Sequence, residues 1–510
     1  MFAKVYSFGI SGLEAYPVTI EVHISGGLPV THIVGLPDNA IKESKERVRS
    51  AIKNSGFDYP HERITINLSP ADTKKEGPAF DVAIALGILA ASEQISALSL
   101  NQYAVVGELS LNGHIQTING SLAMALTMNS GPLLGLIVPT ANAFEAALSK
   151  NTKVYPVKSL QELVHFLNCP QSVIAFDSNT EELFQKANVH HVDFADVKGQ
   201  AHVKRGLEIA AAGAHNVILI GPPGSGKSML AKRLPTILPD MTIEEALETT
   251  KIHSVMGLLK PDQNMVATRP FRSPHHTSSD VAIVGGGSLP RPGEVTLSHN
   301  GILFLDELPE FNRDVLESLR QPLEDYCVTI SRASKSLRFP SKFMLVAAMN
   351  PCLCGWLTDP KKQCRCNPQQ IERYLAKISG PLMDRIDIHL EVPSLPSTQL
   401  LANASSEPSS LIKERTSAAR AIQHKRFCGQ PIFANAQMNH KQIKSFCRLD
   451  DDGKKLLKMA IDELNLSARA YDKILKVART IADLAHCDQI QSEHLAEAIQ
   501  YRSLDRNWWQ

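Results

Sequence analysis

An apolar strand runs directly into a glycine-rich loop near the middle of this chain. The strand is Val217–Ile220, and the loop Gly221-Pro222-Pro223-Gly224-Ser225-Gly226-Lys227-Ser228 fits G-x-x-x-x-G-K-S. The glycines let backbone N–H groups turn towards phosphate oxygens, and the next helix adds its positive end. Lys227 is expected to neutralise phosphate charge and Ser228 to ligate magnesium. The sequence therefore predicts ATP and magnesium bound on an α/β fold.

Polar residues end two further apolar strands. Asp306 and Glu307 follow Ile302–Leu305, and Asn350 follows the strand predicted over Phe343–Ala347. Strands that are apolar throughout suit a parallel sheet, whose carboxyl edge faces the ligand. We expect Asp306 to hold magnesium, Glu307 to deprotonate the attacking water and Asn350 to reach the γ-phosphate. For Asn350, a plain Asn-Pro turn is the competing interpretation.

Several charged residues allow two interpretations each. Arg385 is a candidate arginine finger, and Arg469 begins a C-terminal helix, but either could form an ordinary surface pair with an aspartate. Adjacent histidines rarely bind one metal, so His275-His276 is interpreted as loop polarity. One basic stretch is either a DNA-contacting hairpin or a solvated one, and comprises Arg332, Lys335, Arg338 and Lys342.

Four of the nine cysteines cluster in a polar loop, as two C-x-C pairs: Cys352, Cys354, Cys364 and Cys366. Four thiolates suit tetrahedral zinc, although one residue between paired cysteines is tighter than usual. Structural zinc and unbound thiols both stay open as interpretations. A zinc site with all four positions filled would be structural rather than catalytic.

Length and composition bound the remaining possibilities. A chain of 510 residues is expected to form two to four domains, and a net charge of +1 excludes a globally basic nucleic-acid binder. No apolar run is long enough for a membrane span, and the first residues do not have the pattern of a signal peptide. We therefore expect a cytoplasmic protein that has no membrane partner.

The pattern along the chain predicts five segments. Residues 1–167 mix strands and helices, with a hairpin turn at Asn112-Gly113. Residues 168–194 lose the pattern and are interpreted as a linker, residues 195–395 form the nucleotide-binding α/β core, 396–410 are a second linker, and 411–510 are helical.

Several strings resemble the ComM (YifB) family of magnesium-chelatase-like AAA+ proteins, and the resemblance covers essentially the whole chain. Besides the phosphate loop and the acidic pair, they are Ile33–Asp38, Lys42–Val48, Arg272–His276 and Gly285–Gly287. The resemblance implies a central AAA+ domain with chelatase-type insertions and a C-terminal helical lid. It also implies a homo-hexameric, DNA-dependent ATPase that promotes branch migration in natural transformation, alongside recombination proteins.

The same resemblance assigns roles to residues. It makes Asp306 and Glu307 the Walker B pair, Asn350 sensor 1, Arg385 a trans-acting arginine finger and Arg469 sensor 2. It also implies that 196–200 flank the adenine pocket, and that an insert over 251–290 and a hairpin over 328–342 face a DNA channel.

The N-terminal segment resembles the proteolytic domain of Lon, which has a ribosomal-S5-like α+β fold. Ala79 lies where those proteases carry the catalytic serine, and Leu122 where they carry the lysine. A Ser-Lys dyad needs a hydroxyl and an amine, so a non-peptidase domain is expected. The alternatives to a DNA motor are a magnesium-chelatase motor subunit and, less favoured, an ATP-dependent protease.

Overall fold

A computed structural model of the chain describes residues 1–128, 131–177, 184, 192–260, 263–287, 290–332, 335–357, 359, 362–395, 406–464 and 467–502. The chain forms two compact units. The first comprises Met1–Ala187 and Ile243–Ala267, and the second comprises Asn188–Thr242 and Thr268–Gln510.

The strands are, in chain order, β1 Phe2–Ser11, β2 Glu14–Ser25, β3 Thr31–Val34, β4 Arg63–Ser69, β5 Tyr103–Val105, β6 Glu108–Leu109, β7 Ile115–Gln116, β8 Gly135–Pro139, β9 Val154–Val157, β10 Val217–Ile220, β11 Phe271–Arg272, β12 Gly285–Gly286, β13 Arg291–Pro292, β14 Ile302–Leu305, β15 Cys327–Arg332, β16 Lys335–Pro340, β17 Met344–Met349 and β18 Ile388–Glu391.

The α-helices are α1 Asn39–Asn54, α2 Asp81–Ala91, α3 Ala97–Leu100, α4 Ser121–Met128, α5 Ala143–Ala147, α6 Leu160–Asn168, α7 Ala201–Gly213, α8 Lys227–Arg233, α9 Ile243–Val255, α10 Asp280–Val284, α11 Glu294–Leu297, α12 Arg313–Ser318, α13 Arg320–Asp325, α14 Pro368–Leu375, α15 Gly380–Met383, α16 Ser409–Arg426, α17 His440–Phe446, α18 Asp451–Leu464, α19 Ala468–Leu484 and α20 Ser492–Gln500.

The described part of the first unit contains a mixed sheet in the order β3-β4-β2-β1-β5-β8-β9. Strands β1, β2 and β4 alternate buried and more exposed residues, strands β5 and β8 are buried throughout, and helix α2 packs on β1 and β2. After Asp81, helix α2 is apolar on all sides, and every one of its residues is buried. Asp38 caps α1 by accepting a hydrogen bond from the Ile41 N–H at 2.9 Å. Arg47 of α1 forms an ion pair with buried Asp81 at 2.8 Å.

Helix α9 belongs to the first unit, although the sequence places it inside the nucleotide-binding core. Its Ser254 hydroxyl accepts a hydrogen bond from the Gly120 N–H at 2.9 Å and donates one to the Glu145 carboxylate. The Thr250 hydroxyl accepts from the Val266 N–H at 3.0 Å. The structure thus departs from the expected segment 195–395 at this insertion, because tertiary contacts determine where an inserted helix packs.

The second unit is built on a parallel sheet in the order β11-β14-β17-β10-β18. All four adjacent pairs are parallel, and Val217 of β10 lies between Val346 of β17 and Ile388 of β18. The strands β10, β14 and β17 are buried along their whole length. The carboxyl ends of the strands therefore meet at one edge, where the predicted polar residues begin.

Helices α16 to α20 make up the C-terminal part of this unit, and their apolar faces join the core beneath the sheet. Among them lies a buried charged group. Lys473 of α19 forms an ion pair with Asp387 at 2.8 Å, and His215 Nδ1 lies 3.5 Å from the same carboxylate. Burial lowers the pKa of Lys473 to about 8, although Asp387 opposes that shift.

The predicted α/β fold with a parallel sheet and a helical C-terminal region is confirmed in this coarse form. The Lon-like assignment of the N-terminal segment stays a prediction. Most of the linker predicted over 396–410 lies outside the described residues, as does much of 168–194; Phe194 is buried. Among the helices that the structure describes, none is long and apolar enough to span a membrane.

Candidate active site

The phosphate loop connects β10 to α8. Gly224 and Gly226 have φ angles of 77° and 92°, values that side chains disfavour and that turn successive N–H groups to one side. Gly221 packs against the Val392 carbonyl, where a side chain would collide. Among the described residues, the Ser225 hydroxyl is buried without a hydrogen-bond partner. A buried polar atom without a partner is costly, so this loop fits a polar ligand such as a phosphate chain.

The Lys227 ammonium is buried inside this loop. It donates hydrogen bonds to the carbonyls of Gly221 at 2.7 Å and Pro222 at 2.9 Å, and to Asn350 Oδ1 at 3.2 Å. Burial lowers the pKa of Lys227 to about 8, while Asp306 and Glu307 raise it. These acceptors are uncharged, which leaves the ammonium able to neutralise an anion entering the loop.

Ser228 and Asp306 come together across the sheet. The Ser228 hydroxyl donates a hydrogen bond to Asp306 Oδ2 at 2.6 Å, and Asp306 Oδ1 accepts one from the Glu307 N–H at 3.0 Å. A hydroxyl and a carboxylate are oxygen ligands of the kind that Mg²⁺ prefers beside substrate phosphates. These two residues fit the predicted magnesium site.

Glu307 lies at the outer side of this edge. Its backbone adopts a left-handed conformation with φ 53°, and its carboxylate is largely exposed. His276 Nδ1 lies 3.4 Å from Glu307 Oε2, and the His276 ring stands edge-on to Phe311. The structure thus brings to the site a histidine that the sequence suggested was only loop polarity. Its position just after β11, the neighbour of β14, is the signal that could have revealed it.

The two predicted arginines are bound elsewhere in the same chain. Arg385 forms an ion pair with Glu324 and donates a hydrogen bond to the Pro381 carbonyl, both at 2.5 Å. Arg469 is exposed and lies 3.6 Å from Asp384. Within the described parts of the chain, neither arginine has a hydrogen bond or an ion pair with the phosphate loop. The structure therefore unites Lys227, Ser228, Asp306, Glu307 and Asn350 but not Arg385 or Arg469.

The segment predicted to flank the adenine pocket packs on the phosphate loop. The Gln200 amide donates a hydrogen bond to the Ser225 carbonyl at 2.8 Å, and Asp196 pairs with Arg233 of α8 at 2.9 Å. These contacts tie the segment to the phosphate loop and to the last residue of the helix that follows it.

The four clustered cysteines also converge. Their sulfur atoms all lie within 4.8 Å of one another. Burial raises the pKa of the Cys352 thiol, whereas a hydrogen bond from the Arg365 backbone lowers the pKa of Cys354 to about 6. The cluster begins two residues after Asn350 and so adjoins the predicted nucleotide site.

The two positions that align with the Lon catalytic dyad, Ala79 and Leu122, have side chains that cannot form it. The Ala79 carbonyl accepts a hydrogen bond from the Gly107 N–H at 2.9 Å, and Leu122 is buried. An alanine and a leucine supply neither the hydroxyl nor the amine that a Ser-Lys dyad requires.

Three family models match the chain. The model described as magnesium chelatase, subunit ChlI, covers residues 193–400; subunit ChlI of Mg-chelatase covers 20–142; and the ChlI C-terminal model covers 406–502.

Full-length relatives are also found. The chain is 46% identical to the competence protein ComM of Haemophilus influenzae, over 99% of this chain and 98% of that protein. It is 44% identical to YifB of Escherichia coli, over 98% and 97% of the two chains. A chloroplastic magnesium-chelatase subunit, ChlI-2 of Arabidopsis thaliana, is 20% identical over 60% of this chain and 73% of its own length.

Proposed function

The chain belongs to the family of ComM and YifB and carries magnesium-chelatase ChlI-type domains, and on that premise we propose that it is an ATP-hydrolysing motor acting on DNA. Two hydrogen bonds at one edge of the parallel sheet support ATP hydrolysis. Lys227 donates one to Asn350, and Ser228 donates the other to Asp306. An AAA+ ATPase needs this set of groups around a triphosphate.

The residues at this edge of the sheet are proposed to have separate roles in phosphoryl transfer. Magnesium, when bound, would offset the negative charge that develops during transfer. Ser228 and Asp306 would hold it, and Lys227 would neutralise the β- and γ-phosphates. Glu307 would accept the proton of the attacking water, with His276 positioning its carboxylate.

Arg385 is proposed to act in trans in a homo-hexamer. Within its own chain the guanidinium pairs with Glu324 rather than with the phosphate loop. A neighbouring subunit's γ-phosphate, being more negatively charged than one carboxylate, can compete for it. Arg469 of α19 is proposed as the second sensor, released from Asp384 when nucleotide binds.

The hairpin β15–β16 is proposed as a DNA contact. Its strands pair from Cys327 opposite Pro340 to Arg332 opposite Lys335, and Arg338 is exposed on it. An exposed arginine on this hairpin suits contact with the phosphate backbone of DNA. Together with the competence role named for the Haemophilus influenzae relative, this supports branch migration of recombination intermediates during natural transformation, in the cytoplasm.

The decisive experiment measures ATPase rate with and without a Holliday junction, together with native mass in the presence of nucleotide. We expect a hexamer whose turnover increases with junction DNA and falls with added salt, and a Lys227→Ala control without turnover. A chain that stays monomeric with nucleotide and ignores forked, single-stranded and junction DNA would contradict the proposal.

The magnesium-chelatase alternative is favoured by the three matched family models. A chelatase motor subunit would respond to a porphyrin and its partner subunits rather than to DNA, so the same ATPase assay with porphyrin separates the two functions. Casein degradation by the pure protein would instead support the protease alternative, which Ala79 and Leu122 disfavour.

A further inference from the structure

The four-cysteine loop has the geometry of a metal centre. Cys352 Sγ lies 3.4 Å from Cys354 Sγ and 3.7 Å from Cys364 Sγ, and Cys354 Sγ lies 3.6 Å from Cys364 Sγ. Four sulfurs held tetrahedrally around zinc, each about 2.3 Å from the ion, stand roughly 3.8 Å from one another. The observed separations are close to that value, and the fourth sulfur, of Cys366, lies within the same group.

The backbone of the loop is arranged around these sulfurs. The Cys354 N–H donates to Cys366 Sγ at 3.3 Å, and the Cys366 N–H donates to Cys364 Sγ at 3.4 Å. Such N–H groups stabilise thiolates and orient them as ligands. An all-sulfur tetrahedral set selects zinc or an iron–sulfur cluster, and the close packing of the sulfurs around one point favours a single ion.

The same loop packs against the phosphate loop. Gly355, with φ 82°, lies so close to Pro223 that a β-carbon added to it would stand 2.6 Å from Pro223 Cδ. Asn350, which accepts a hydrogen bond from Lys227, precedes Cys352 by two residues. On its far side the loop is held by a hydrogen bond of 2.6 Å from the Ser394 hydroxyl to Asp359 Oδ2.

We propose that this loop binds one Zn²⁺ ion, and that the zinc centre braces the nucleotide site by fixing Asn350 and supporting Pro223. The role of the brace rests on the proposed ATPase function. Zinc binding deprotonates the thiols and releases the protons to solvent, with no change of oxidation state. Loss of the ion frees a loop that contacts Pro223 and follows Asn350, and turnover falls because Asn350 loses its fixed position.

Metal content tests the site independently of activity. Protein purified without added zinc should contain about one zinc ion per chain, because four thiolates complete one tetrahedral shell. The double variant Cys364→Ser/Cys366→Ser should lose it, and Co²⁺ replacement should give the visible absorption of tetrahedral cobalt thiolate. Iron in place of zinc, a Cys352–Cys354 disulfide, or four free thiols in metal-free active protein would each overturn the proposal.

Two variants test the brace. The cysteine double variant should lose turnover by about tenfold or more, since small displacements of positioning groups have effects of this order. Gly355→Ala should retain zinc and yet lose turnover, because its methyl group pushes on Pro223. Cys428→Ser, at an exposed free cysteine, is the matched control and should change neither zinc content nor turnover.

The outcomes separate this proposal from the motor function. Wild-type turnover in Gly355→Ala, or in a folded zinc-free double variant, would refute the brace whether or not DNA stimulates the enzyme. If the double variant does not fold, the turnover of Gly355→Ala still tests whether the loop supports the nucleotide site. A zinc-dependent basal ATPase that DNA does not stimulate would uphold the brace and refute the DNA motor.

Discussion

His276 Nδ1 lies 3.4 Å from Glu307 Oε2, at the edge where three parallel strands end. The histidine follows β11 and the glutamate follows β14, so sheet register brings them together. Replacing His276 with alanine should lower kcat about tenfold while KM for ATP changes little, because the imidazole positions the carboxylate and does not contact phosphate. Steady-state kinetics beside a His275→Ala control will show this. Equal losses in both variants would point to a general effect on the loop.

Glu307→Gln should retain ATP and abolish turnover. The amide keeps the size of the side chain but cannot accept a proton, and the loss of a general base lowers rates by about 10²- to 10⁴-fold. Nucleotide binding and single-turnover hydrolysis are the measurements. Glu310→Gln, at an exposed acid paired with Lys377, is the control. Normal turnover in Glu307→Gln would remove the residue from its proposed role.

Arg385→Ala should be inactive alone yet partly active when mixed with Lys227→Ala subunits. Each mixed interface can then combine an intact phosphate loop with an intact arginine from the neighbour. ATPase activity across mixing ratios measures this complementation. Arg320→Ala, at a half-buried arginine paired with Glu317, serves as the control. No recovery at any ratio would argue against a site shared between subunits.

ADP affinity should decline above about pH 8. Burial lowers the pKa of Lys227 to about 8 in the free protein, and an anion binds to its charged form. Below that pH the ammonium is already charged. Above it, binding must first take up a proton, so Kd should increase by up to about tenfold per pH unit. Titrations between pH 7 and 9.5 test this, and a Lys227→Met variant should show a flat profile. A flat wild-type profile would contradict the prediction.

Asp387→Asn should destabilise the second unit by about 3–5 kcal/mol, the usual cost of breaking a buried ion pair, because it leaves the Lys473 ammonium without its carboxylate. Urea unfolding measures the loss. The double variant Asp387→Asn/Lys473→Met should recover much of the stability, since it removes both charges. A double variant less stable than Asp387→Asn alone would show that the unpaired Lys473 ammonium is not what destabilises the single variant.

The sequence predicts the strands beneath the site well, because β10 and β14 are apolar throughout. The phosphate loop follows β10, and the acidic pair follows β14. It also predicts the cysteine cluster, since spacing alone limits how far four thiols in one loop can separate. It does not predict the partner of Arg385, because Glu324 lies 61 positions earlier and meets it only through the fold. His276 was missed for a related reason: its neighbour comes from an adjacent strand, which the local pattern does not specify.

Because α9 belongs to the first unit, the two units cannot be expressed separately by cutting the chain once. The polypeptide crosses between the units at three places, near 187, 242 and 267, so no single cut yields two intact halves. A fragment starting near residue 192 would retain α9 but lose Gly120 and Glu145, the groups that bind Ser254. Such a fragment should aggregate, because α9 would be left without the residues on which it packs. Replacing 243–267 with a short polar connector should prevent this aggregation.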